Sequence, residues 1–267
     1  MFAKIQQRYM RWRTTLARRR ATNAAVARQS ATFPGRWVGG LSAVLGPLLI
    51  LAGMLMRIRY HFFVPDQLAA YDDNPGLIAA AYACVATGTM LLWPAVLELA
   101  RRIGATHPRW ALWGGCLVIF GLFTRIFQYG TDHLTFHVVD GQGLPTALAV
   151  IDYYYVAWRD VGWHPFRMLS GAVVAGWVVL AIGAYRSGAL GLGRSLCLAV
   201  VSILALGTLK GTQIPQSLIA AAGLCLAFIP LGIGLLRDGP RPSNRALAWT
   251  AVLLALFVLG QFYAPRG

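Results

Sequence analysis

Val38-Gly-Gly-Leu-Ser-Ala-Val-Leu-Gly-Pro-Leu-Leu-Ile-Leu-Ala-Gly-Met-Leu-Met56 decides the fold class. It carries no charge, and its length is close to the ~20 residues a helix needs to cross a ~30 Å hydrocarbon layer. Similar runs follow at about 77–97, 111–127, 168–185, 195–213, 217–236 and 246–263. The chain as a whole has 267 residues, is 57% hydrophobic and only 12% charged. A soluble domain carries roughly twice that share of charge.

These runs are too continuous for barrel strands, which alternate, and a helix pairs its own backbone groups within lipid. The expected fold is an all-α integral membrane protein. It has a basic amphipathic arm at 1–36 and one transmembrane domain at 37–267, a bundle of about seven transmembrane helices. The four cysteines, Cys84, Cys116, Cys197 and Cys225, each sit in an apolar run without C-x-x-C spacing, as small packing residues do.

The formal charge of +15 would point to nucleic acid in a soluble protein. Here the basic residues crowd ahead of the first apolar run, and the first acid is Asp66. This is a cytoplasmic membrane flank, and no nucleic-acid partner is expected. Within the arm, Phe2, Ile5, Tyr9, Trp12 and Leu16 recur at helical spacing among arginines, which suits a surface helix on anionic lipid. The arm is a poor secretory signal, because its basic region is long and no A-x-A site follows; an organellar transit peptide is the lesser alternative. Abundant Arg and Ala fit a high-GC bacterial source.

Orientation follows from the loops. Of the 24 basic residues, 17 fall in the arm or in 98–110, 186–194 and 237–245. The positive-inside rule therefore places the N-terminus in the cytoplasm, the C-terminus outside, and the chain in the plasma membrane. Residues 144–158 are apolar but short, and are expected to form a re-entrant or interfacial helix with Tyr153, Tyr154, Tyr155 and Trp158 at headgroup depth.

The unusual chemistry collects at the outer end. If the third span continues past Gly130, Arg125, Tyr129, His133 and His137 lie four apart on one face. Arg125 and Lys210 lie within apolar runs, where an unpaired charge costs several kcal/mol. They are expected to share a water-accessible cavity, with Tyr129, Asp132 and Arg167 as further ligand-binding residues and the two histidines at its rim. Asp132, Asp152 or Asp160 would supply a counter-charge. Arg57 and Arg59, at the end of the first span, are expected to snorkel to lipid headgroups, as Arg167 also can.

His133 and His137 have the i, i+4 spacing that lets two imidazoles reach one metal, with Asp140 or His164 completing the set. His-Glu-x-x-His is absent, and loop histidines bonded to aspartates are the plainer state; zinc is a possible cofactor on this pattern alone. There is no G-x-S-x-G, no phosphate loop, and Glu98 is the one glutamate in the chain. The sequence favours a protein that binds or transports a small anionic or zwitterionic molecule, a lipid headgroup or a peptide. Transport, sensing or immunity are the roles in view, with membrane proteins among its partners. The alternative is a membrane-embedded hydrolase or transferase, metal-dependent or not, acting at the outer leaflet.

Overall fold

The computed structural model describes residues 33–160, 165–206, 211–238 and 244–263. The basic arm lies outside them. All regular structure among the described residues is helical. The helices are α1 (Gly35–Met56), α2 (Val64–Asp73), α3 (Pro75–Gly104), α4 (Pro108–Gln142), α5 (Leu144–Asp160), α6 (Pro165–Arg186), α7 (Leu192–Val200), a 3-10 segment (Val201–Leu206), α8 (Gln216–Arg237) and α9 (Asn244–Tyr263). The chain divides after Leu236 into two compact units, and α9 belongs to the second.

Among the described residues, four helices, α1, α3, α4 and α8, are long and apolar enough to cross a membrane; Gly171–Arg186 and Leu192–Ile203 are shorter apolar helices. Large apolar side chains on the four point outward: Leu45 on α1, Met90 on α3, Trp113 on α4 and Leu226 on α8 are each more than a third exposed. Such a surface suits lipid rather than water.

Two departures from the expected spans have local causes. Among the described residues of the run at 195–213, those up to Leu206 are helical and those from Gly211 to Gln213 are not. Gly and β-branched Thr hold a helix weakly, and tertiary bonds claim this backbone instead. The Gly211 N–H donates to the Phe62 carbonyl (2.9 Å) and Thr212 Oγ1 donates to the Met54 carbonyl (2.8 Å). The connection at 128–167 is the second departure. Its described residues are helical almost throughout, as α4 runs 35 residues to Gln142 and α5 follows at once. At 1.5 Å per residue α4 is roughly 52 Å long, so about 15 residues reach beyond a 30 Å apolar layer.

Close helix contact is made by glycines on both sides of one seam. A Cβ at Gly114 would lie 2.8 Å from Leu180, and one at Gly121 would overlap Val173. In return, a Cβ at Gly176 would lie 2.7 Å from the Val118 backbone, and one at Gly183 2.8 Å from Trp110. These pairs are seven apart, two turns of helix, so α4 and α6 meet along one line, as small residues permit in membranes.

Two apolar cores result. The larger joins α1, α3, α4, α6, α7 and α8 around Leu99, Leu180, Leu198, Leu224 and Phe228. The smaller joins α2, the start of α3, the extension of α4, and α5 around Leu68, Tyr71, Ile78, Phe136 and Ile151. Tyr71 stacks on Phe136 (ring centroids 4.3 Å), and Tyr82 meets its edge (4.9 Å).

Candidate functional site

A cavity of about 100 Å3 opens between the end of α1 and the middle of α3. Its lining comes from α1, α3, α4, α6, the 3-10 segment, residues 211–213 and α8. Ile50, Leu92, Leu122, Val173, Trp177 and Leu224 make an apolar end. Climbing α1 to Arg57 and α4 to Asp132 leads to a polar end, which Gln128, Tyr129, Gln213 and Gln216 complete. The cavity is therefore amphipathic along the bundle axis.

Arg57 is the residue the sequence misplaced. It is not a headgroup anchor: it is only 3% exposed and lines the cavity. Its guanidinium lies 4.6 Å above the Tyr82 ring, a contact that favours a cation over an aromatic face. Its Nε and Nη1 are buried and meet no hydrogen-bond acceptor among the described residues. Leaving a buried charged donor unmet costs roughly 1–3 kcal/mol or more. Arg59, two residues on, is exposed and behaves as the expected surface cation.

Arg125, Tyr129 and Asp132, all expected in the site, line the cavity. Arg125 Nη1 donates to Gln128 Oε1 (3.2 Å). Asp132 is 4% exposed, and its carbonyl accepts from Thr135 Oγ1 (2.7 Å). Asp152 is exposed and does not line the cavity. Lys210, His164 and the side chains of Asp160 and Arg167 lie outside the described residues, so the expected Arg125–Lys210 partnership does too.

His133 and His137 are exposed and are not part of the cavity lining. The reason is helical drift. Each step of four residues rotates about 40° past a full turn, so two steps from Arg125 carry His133 about 80° away. Asp132, seven residues on, returns to within about 20°. The cavity row is thus Arg125, Gln128–Tyr129 and Asp132, and the histidines form a second face.

On that face His133 Nε2 and His137 Nε2 are 3.2 Å apart, and His137 Nδ1 is 3.9 Å from Asp140 Oδ2. The same Asp140 oxygen accepts from Tyr71 Oη (2.8 Å). Burial first, then the Asp140 hydrogen bond and charge, push the Tyr71 hydroxyl above its ordinary 10.0. His61 pairs with Asp66 (2.8 Å). Among the described residues no three His, Cys, Asp or Glu side chains converge on a metal position.

The other residue whose importance the sequence concealed is Glu98, in α3 between the cavity-lining Leu92 and the end of the helix at Gly104. Its side chain is wholly buried and holds Arg101 through two bonds (2.9 and 2.7 Å), with Arg102 at 3.4 Å. A lone glutamate followed by two arginines three and four residues on was a legible signal. For Arg57 no such signal exists, since most arginines at span ends do snorkel. No family model, no curated protein and no solved structure matches this chain.

Proposed function

We propose that this chain is a multi-pass plasma-membrane protein with its arm on anionic lipid in the cytoplasm, its C-terminus outside and seven crossings. Its outward cavity binds or carries a small anionic or zwitterionic molecule. The observation that carries the reading is the buried Arg57, with two unmet donors at the polar end of a cavity that Arg125 also lines. An anion supplies the acceptors that the guanidinium needs, and the low-dielectric surroundings strengthen the attraction. A volume of about 100 Å3 admits a small solute, a lipid headgroup or the terminal group of a peptide. An engineered cavity of roughly 150 Å3 holds benzene.

The test is thermal unfolding of the detergent-purified full chain with short-chain carboxylates, phosphate monoesters and amino acids. A bound anion raises stability by RT ln(1 + [L]/Kd). Stabilisation that saturates in the wild type and is lost in Arg57→Gln and Arg125→Gln supports the reading. Identical responses in all three proteins, or none, overturn it. The alternative, a metal-dependent hydrolase or transferase, is favoured by the His133–His137 pair alone, which stands outside the cavity lining.

A further inference from the structure

We propose that His133 and His137 form a two-imidazole site for a late first-row divalent metal ion (zinc, copper or nickel) on the extension of α4. The geometry is that of a chelate. A metal lies about 2.1 Å from an imidazole nitrogen. Two such bonds at about 100°, between the square-planar and tetrahedral angles, put the nitrogens roughly 3.2 Å apart. The two Nε2 atoms are 3.2 Å apart as they stand. One helix holds both residues, so little ordering is needed to bring them together.

Two further features support the site. His137 presents its other nitrogen to Asp140 at 3.9 Å, and Asp140 is itself held by Tyr71. Metal-bound histidines give their second N–H to a carboxylate, which fixes the tautomer and raises ligand basicity. The residues also stand on the part of α4 that reaches past the apolar layer, where a hydrated ion can arrive. Imidazole selects zinc, copper and nickel over calcium and magnesium, which prefer oxygen. With two protein ligands the remaining positions stay with water, so the ion exchanges and copper binds tightest.

The site is tested with an untagged, metal-stripped full chain in detergent, titrated with Cu2+, Zn2+ or Ca2+ against a chromophoric chelator. One copper or zinc ion should bind per wild-type chain, and calcium none. His133→Ala and His137→Ala should each weaken that ion at least about tenfold, and the double variant no further than either single one, because one loss already breaks the chelate. Both positions are exposed and helical, so alanine keeps the fold. His61→Ala should bind as wild type. Equal binding by the wild type and the double variant would overturn the proposal. So would single variants that titrate like the wild type.

Discussion

The guanidinium of Arg57, in the last turn leading out of α1, lies 4.6 Å above the ring of Tyr82 on α3. Arg57 is thereby held inside the protein, where it lines the cavity. Arg57→Ala should lower stability by roughly 1–3 kcal/mol, since an aromatic face and a packed stem are both lost. Arg57→Lys should keep the charge but lose anion affinity, because an ammonium cannot offer a planar fork. Arg59→Ala should change neither. Thermal unfolding with and without anion separates the three, and equal behaviour of Arg57→Ala and Arg59→Ala would return Arg57 to the surface.

The α4–α6 seam leaves no room at Gly121, where an added Cβ overlaps Val173. Gly121→Ala should cost about 1–3 kcal/mol through overpacking. Gly234 on α8 has nothing within 4 Å, and Gly234→Ala should be neutral or slightly stabilising. Unfolding temperatures in one detergent check the pair.

Glu98 holds two arginines from a fully buried position, whereas Arg101 and Arg102 are about one-third exposed, 31% and 34%. Glu98→Gln keeps the shape and removes the charge. It should destabilise by about 1–3 kcal/mol, a loss that higher salt does not restore, because the carboxylate side of the pair is shielded from solvent. An unchanged unfolding temperature would show that the arginines are satisfied by solvent.

Tyr71 gives a pH signature. Its hydroxyl stays protonated in the fold above 10.0, held by burial and by Asp140, whereas the unfolded chain ionises there. A raised pKa means stability present below the unfolded value and lost as pH rises through the folded one. Tyr71→Phe should therefore be about 1 kcal/mol less stable at neutral pH. The deficit should shrink as pH climbs past 10.0. A deficit constant with pH would place the effect in packing rather than in the hydroxyl.

Orientation is tested with reporter fusions. Gly104 ends α3 and Gly141 lies at the far end of α4, so the two must report opposite sides. By the positive-inside rule, the basic residues of the arm and of 98–110 predict a cytoplasmic signal from the Gly104 fusion. A cytoplasmic signal from the Gly141 fusion overturns both the crossing and the sidedness.

What the sequence by itself determined is local. The length and continuity of apolar runs gave helices and a membrane setting, because helical hydrogen bonds close within a segment. Of the residues expected in a site, Arg125, Tyr129 and Asp132 line the cavity, because seven residues bring a helix nearly back to the same face. The i, i+4 rule overreached at His133 and His137, since each step adds rotation that a sequence pattern ignores. Tertiary structure alone decided the rest. Arg57 is buried because Tyr82 and the 211–213 segment arrive from elsewhere in the chain, and no property of residues 50–60 encodes that meeting. The run at 195–213 stops short as a helix because the Met54 and Phe62 carbonyls take its hydrogen bonds. Which polar group stays in water and which is enclosed depends on the neighbours across the bundle, and those contacts exist only once the chain has folded.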